Sequence, residues 1–462
     1  MGCFTDLPIE LLPLIIQHVV PKSSYLANLC LVNRIFHTFT IGSLYERIVI
    51  YPWHKQAKAK IVDLFRTLAE NPHLAQQVSR LEIRDFPRVL SSYEAYEDLE
   101  RSCIRGIANS TNLRSCTWTR DGTLNTDILK ALQTCPNLAE LELNGNHQGN
   151  YDPRTLASFS HLEKITLIMP SSPVLNILPQ WIAATGPRLR TLTLICKATP
   201  LVNDALLGNL SPHLRRIERL SLAGCPKVTH EGVWAVIRHN VGGIRGLGLE
   251  GLTPHFDIVA LSGECARAGF LTSLESFTLT IRPDLLTDAW IDGASRLLSH
   301  SPLEAFQLYA TDTTSKSYSA DALCARIVAA HGPRLARFAF NRLRLTPAAI
   351  TEVCVRCTEL QQLFMLVDPS DLPSLGPVLA RATALRTVHV NLTHRPKAYH
   401  PRDQAHALLS HCSPTVTQLG IETRVWHVDR IIEEQDGKMV ARRVLAAYES
   451  PDIPEQFLVV RA

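Results

Sequence analysis

Along most of this chain apolar residues recur in one spacing: apolar, two residues, apolar, one residue, apolar. The triplet first appears as Val78-Leu81-Ile83, then as Leu113-Cys116-Trp118, Leu138-Leu141-Leu143, Leu162-Ile165-Leu167 and Leu189-Leu192-Leu194. It continues through Ile217-Leu220-Leu222, Ile244-Leu247-Leu249, Leu274-Phe277-Leu279, Leu303-Phe306-Leu308, Leu335-Phe338-Phe340, Leu360-Leu363-Met365 and Leu385-Val388-Val390 to Val416-Leu419-Ile421. Thirteen triplets about 28 residues apart are more, and more even, than chance supplies. The last two positions of each are two apart and share one face of a short strand. Ahead of most strands, segments such as 127–132 (DILKAL), 232–237 (GVWAVI) and 348–354 (AAITEVC) carry helical spacing. Turn residues such as Cys135-Pro136-Asn137, Gly186-Pro187 and Gly332-Pro333 separate helix from strand.

A longer echo sets the register. Residues 181–194 (WIAATGPRLRTLTL) and 327–340 (IVAAHGPRLARFAF) share a turn placed before a strand. One strand–helix unit cannot bury its own apolar face, so stacked units must share a core. The pattern resembles the leucine-rich repeat, L-x-x-L-x-L-x-x-N/C. Asn146 and Cys225 fill the N/C position of their units, and most other units depart from it. The resemblance covers residues 78–423 and implies an α/β solenoid with parallel strands on the concave face and helices on the convex face. The tail is expected to add a helix around 428–447 and a strand at Gln456–Val460 that close the end.

The front of the chain follows another rule. Residues 6–19 read DLPIELLPLIIQHV, with Leu7, Leu11, Leu12, Ile15, Ile16 and Val19 on one helical face. Pro8 suits a first turn, and Pro13 divides a lead-in from the helix proper. A second segment, 25–37, carries Leu29, Val32 and Phe36 on one side. A third, Ile41–Arg47, leads into a strand at Ile48-Val49-Ile50. Leu14 and Leu31 lie off these stripes, so apolar groups are expected on two faces. Three short helices make a poor independent core. Leu7-Pro8, Glu10-Leu11, Ile15-Ile16, Leu29, Leu31-Val32-Asn33-Arg34, Phe36-His37 and Leu44-Tyr45 occupy positions that closely resemble the F-box.

That resemblance implies three domains: an F-box over 1–46, a linker helix and first cap strand over 47–77, and a leucine-rich-repeat domain with a C-terminal cap over 78–462. It implies that Leu7, Pro8, Glu10, Leu11, Ile15, Ile16, Leu29, Val32 and Phe36 bind the Skp-family adaptor of a cullin-based ubiquitin ligase. The repeats would hold a target protein for ubiquitination. The alternative is a leucine-rich-repeat binding scaffold whose N-terminal helices only cap the solenoid.

Residues alternating with the core positions should point away from the helices. Most are polar, with Gly246 and Gly248 leaving a bare patch. Tyr309, Phe364 and Leu366, with Arg337 and His389 beside them, break that polarity and form the expected target-contact cluster.

Composition narrows the classes further. The 462 residues are 46% hydrophobic and 19% charged, with a net charge of +4, which offers no field for nucleic acid or membrane. No apolar run reaches the length of a membrane span. Met1-Gly2-Cys3 lacks the Ser or Thr at position 6 that myristoylation favours. The opening has neither a basic lead-in nor a small-residue cleavage site, so cytoplasm or nucleus and reduced thiols are expected for the twelve Cys. Cys354-Val355-Arg356-Cys357 has no second pair at zinc spacing and reads as buried structural thiols. Gly242–Gly248 follows a helix and enters a strand, the wrong order for a dinucleotide loop, and no phosphate loop or serine elbow is present. The reading therefore expects no catalytic residues, no metal, no cofactor and no enzyme activity. It also expects no nucleic-acid and no membrane partner.

Overall fold

The computed structural model describes residues 8–18, 23–52, 56–311, 319–395, 400–435 and 438–448. The chain falls into two compact units, Met1–Leu194 and Ile195–Ala462. Each is a stack of parallel strands alternating with helices. All thirteen triplets carry a strand.

The first unit opens with α1 (Leu12–Gln17), α2 (Ser23–Cys30) and α3 (Arg34–Glu46). A 3-10 turn, Ile9–Leu11, leads into α1, and Pro13 sits in its first turn, where a missing N–H costs nothing. The expected third helix at 41–47 is the end of α3, which is one helix of 13 residues. Its start is set by Asn33, whose carboxamide oxygen accepts the Phe36 N–H at 2.9 Å. β1 (Arg47–Ile50) follows directly, then α4 (Ala57–Glu70) and α5 (Pro72–Ala75). The repeats alternate β2 (Arg80–Ile83), α6 (Tyr93–Asn109), β3 (Ser115–Trp118), α7 (Thr126–Gln133), β4 (Glu140–Asn144), β5 (Lys164–Ile168), α8 (Ser172–Thr185) and β6 (Thr191–Ile195). The 17-residue α6 fills the long gap after Val78, and its acids Glu94 and Asp98 are exposed.

The second unit continues with β7 (Arg219–Ala223), β8 (Gly246–Glu250), β9 (Ser276–Ile281), β10 (Ala305–Ala310), β11 (Arg337–Arg344), β12 (Gln362–Val367), β13 (Thr387–Leu392) and β14 (Gln418–Ile421). Their helices are α9 (Asp204–Leu210), α10 (His230–His239), α11 (Ile258–Ala268), α12 (Asp288–Leu298), α13 (Asp321–His331), α14 (Pro347–Arg356), α15 (Leu375–Leu379) and α16 (Pro401–His411). The strands hydrogen-bond in sequence order, and the pairs Leu220↔Leu247, Leu247↔Phe277 and Leu363↔Val388 bring equivalent repeat positions side by side. The core of each unit is therefore a ladder of triplet residues, with Leu81, Leu141, Leu220, Phe277, Leu363 and Val388 all buried.

The tail departs from expectation. Residues 424–447 form an antiparallel hairpin, β15 (Arg424–Gln435) and β16 (Lys438–Ala447), instead of a helix. β15 folds back on β14, pairing Gln418 with His427 and Ile421 with Arg424. β-Branched residues on both sides of Asp436-Gly437 are a hairpin signal. Arg443 fixes the hairpin to α16, donating to the Leu409, Cys412 and Ser413 carbonyls at the helix C-terminus. The strand expected at Gln456–Val460 lies outside the described residues.

Candidate partner-binding surfaces

α1, α2 and α3 pack on one another through a small core of Leu12, Ile16, Leu26 and Thr40, all buried. Few apolar groups are left to close it, and the rest face solvent. Leu11 is 41% exposed and Ile15 40%, one turn apart on the same face. Leu14 stands 55% exposed beside them, and in the α2–α3 turn Leu31 and Val32 reach 84% and 57%. Ile35 and Phe39 form a second i, i+4 pair on α3, and Ile9 and Tyr25 complete the set. Nine of the twenty large hydrophobic residues exposed among the described residues thus fall between positions 9 and 39. Such a concentration on so small a module marks a surface built to be covered.

The residues expected to meet an adaptor are therefore divided. Pro8, Glu10, Leu11, Ile15 and Val32 are exposed, and Leu29 and Phe36 are half-buried. Ile16 is a correction: at 5% exposure it faces the module's own core, because its position turns it toward α3. Leu7 lies outside the described residues. Ile9, Tyr25, Ile35 and Phe39 were not among the expected contacts. The spacing of Ile35 and Phe39 in α3 is the signal that could have found them.

On the side of the sheet away from the helices, the first unit carries paired charges. Arg47, Arg80, Ser115, Glu140 and Lys164 align in one cross-strand row, and Glu82, Thr117, Glu142 and Thr166 in the next. Arg47 pairs with Glu82 at 2.9 Å, Arg84 with Glu142 at 3.2 Å and with Glu82 at 3.6 Å, and Glu140 with both Arg80 and Lys164. Little of this face is left uncompensated.

The second unit differs. Its middle row runs Ser221, Gly248, Thr278, Gln307, Ala339, Phe364, His389 and Gly420, with no acid and no Lys or Arg. Gly246 and Gly248 are buried, not bare: a Cβ on Gly246 would lie 3.0 Å from Arg219, whose guanidinium crosses the strand to Ser276 Oγ at 3.2 Å. The carboxylate of Glu250, at the end of the same strand, has no hydrogen bond or ion pair among the described residues, although its backbone carbonyl accepts the Gly224 N–H at 2.8 Å. Burial without compensation pushes its carboxyl up to about 7.

The expected target cluster is also only partly exposed. Leu363 and Met365 face the core, so the register holds and Phe364 does point to the other face. There, however, it is 2% exposed, covered by the Arg337 guanidinium 5.7 Å above its ring and flanked by His389 at 6.1 Å. His389, 4% exposed, lies flat over Gly420 and its Nε2 is 2.9 Å from the Glu422 carbonyl oxygen. Burial holds its imidazole below the usual histidine range, so the ring is neutral at pH 7 and donates that Nε2 proton. Phe364 and His389 are thus buried neighbours with tilted rings, leaving Tyr309, Arg337 and Leu366 as the half-exposed members.

The CxxC thiols are buried, and burial pushes both Cys354 and Cys357 up to about 12. Among the described residues no three His, Cys, Asp or Glu are grouped to hold a metal ion, and no helix is long and apolar enough to cross a membrane.

No family model and no curated protein matches the sequence. Solved structures similar to it include yeast Rad7 in its complex with Elc1, over 91% of this chain and 93% of that one, at 14% identity and a TM-score of 0.46. They also include the leucine-rich-repeat-containing protein LegL7 from Legionella pneumophila, over 71% of this chain and 92% of that one, at 15% identity and a TM-score of 0.37.

Proposed function

We propose that this chain is a substrate-recognition adaptor of a cullin-based ubiquitin ligase. In this reading residues 5–46 dock on the Skp-family adaptor and the repeat units present a target protein, in the cytoplasm or nucleus. The transfer chemistry then belongs to other subunits. One observation carries the reading: nine large hydrophobic side chains stand exposed between positions 9 and 39, in the segment whose residues resemble an F-box. Each is worth about 1.5–3 kcal/mol when fully covered, so a partner has ample apolar surface to gain.

A capping role has its own support. α3 packs against α5 and β1, and the Ser79 N–H bonds to the Glu46 carbonyl at 2.9 Å, so the module does close one end of the first unit. A cap, however, has no use for Leu11, Leu14 and Leu31 in water.

Size-exclusion co-elution of the full chain with a purified Skp-family adaptor separates the two readings. Wild type should form a 1:1 complex, and Leu11→Asp/Ile15→Asp should weaken it by at least about 100-fold. Val241→Asp, on an exposed valine of the second unit, should leave it intact. A wild type that ignores the adaptor, or a double variant that binds it equally well, ends the ligase reading and leaves the scaffold.

A further inference from the structure

Eleven cysteines fall within the described residues, and the thiols of ten of them are shifted in one direction. Each of these thiols is pushed up, away from the reactive thiolate, nine of them chiefly by burial and Cys225 chiefly by its hydrogen bond with Cys196 and then by burial. Cys196 departs from them. It belongs to the second unit, immediately after β6, and it is brought against Cys225, which follows β7.

The backbone makes this juxtaposition. The Cys196 N–H donates to the Ala223 carbonyl oxygen at 2.8 Å, and the Cys225 thiol reaches the same oxygen at 3.4 Å. Two residues from consecutive repeats therefore converge on one atom. Between Ala223 and Cys225 the chain turns through Gly224 at φ +67°, and a Cβ there would stand 2.1 Å from the Cys196 carbonyl oxygen. Only glycine permits this approach. The Ala223 oxygen thus holds the Cys196 backbone and the Cys225 thiol side by side. Donation from the Cys225 thiol to the Cys196 sulfur stabilises Cys196 as a thiolate and holds it below the usual thiol range, against its burial. The same contact holds Cys225 in its protonated form.

We propose that Cys196 and Cys225 are an oxidation site in which Cys196 is the nucleophile, Cys225 the resolving thiol, and a peroxide the oxidant. The Cys196 sulfur attacks one oxygen of hydrogen peroxide. The S–O bond forms, the O–O bond breaks, and hydroxide leaves to be protonated to water. The Cys225 sulfur then attacks the resulting sulfenic sulfur. The S–S bond forms, the S–O bond breaks, and a second water departs with the Cys225 proton. Two thiols are oxidised by two electrons in all, and one peroxide is reduced to two waters. Cys196 keeps a small exposed fraction while Cys225 has none, so the nucleophile is the sulfur that the oxidant meets first. The product closes residues 197–224 into a loop that a thiol reductant reopens.

The full chain, treated with substoichiometric hydrogen peroxide under native conditions and mapped by non-reducing peptide mass spectrometry, tests the site. The Cys196–Cys225 linked peptide should appear at least ~tenfold faster than any other thiol is lost. In Cys225→Ser, a sulfenic-acid trap should label Cys196. In Cys196→Ser, the linkage and the early label should both vanish. Circular dichroism of each variant confirms that it folds, and repeating the oxidation in urea should abolish the selectivity. If another cysteine oxidises first in folded wild type, or if Cys196→Ser leaves the early label in place, the proposal is overturned. Dithiothreitol should restore both thiols, and an irreversible product at Cys196 counts equally against it.

Discussion

Glu250→Gln removes a carboxylate that the fold half-buries without a partner. Glu250 ends β8, in register with Ala223, and burial pushes its carboxyl up to about 7. An unfolded glutamate titrates near ~4.3, so the native state holds a proton that the unfolded state releases over that interval. Because the native state binds more protons, stability falls as pH rises from about 4.3 to about 7, and the full penalty persists above it. At about 1.4 kcal/mol per unit, the wild type carries a cost on the order of 3 kcal/mol at pH 8 that glutamine does not. Repeat stacks open locally, so amide hydrogen exchange over 244–252, followed by mass spectrometry, is the suitable assay. At pH 8 the variant should be protected on the order of 100-fold better than wild type. At pH 4.5 the difference should shrink to about threefold. Equal protection at pH 8, or a gap that does not narrow with acid, would show that Glu250 is solvated or paired and would refute the reasoning.

Ile16→Ala should cost about 2–4 kcal/mol in thermal unfolding of the N-terminal module, whereas Leu11→Asp, half in water already, should change it by less than about 0.5 kcal/mol. Phe364→Ala should destabilise the second unit by about 3–5 kcal/mol in urea denaturation, because the ring is sealed under Arg337. Tyr309→Ala, half-exposed with its hydroxyl on Gln307 at 3.3 Å, should cost less than about 1.5 kcal/mol, making it the cleaner probe of target binding. Gly224→Ala should cost more than about 2 kcal/mol by the same measurement, since its Cβ would strike the Cys196 carbonyl in a left-handed turn.

Several misreadings share one cause. The helix expected around 428–447 is a hairpin in the structure. Pairing with β14 is a long-range contact that no local window contains. Phe364 was expected in solvent because alternation places it opposite the core, which is correct. What alternation omits is that a long side chain from the preceding strand, Arg337, can close over it. The F-box resemblance places Ile16 with Leu11 and Ile15 as adaptor contacts, but Ile16 is buried in the module's own core.

The strand–helix stack was readable from residue order alone. A side chain's face depends only on its place in a period of two or of 3.6, and thirteen repetitions make that place unambiguous. So was the presence of more apolar residues near the front than three short helices can enclose. Which of those residues lie inward, which charges find partners across strands, and which thiols meet were settled only when separate repeats came into register. Those outcomes depend on distances between residues about 25–60 positions apart, such as Cys196 and Cys225 or Arg219 and Ser276. The energy of such contacts appears only after the chain has closed the loops between them.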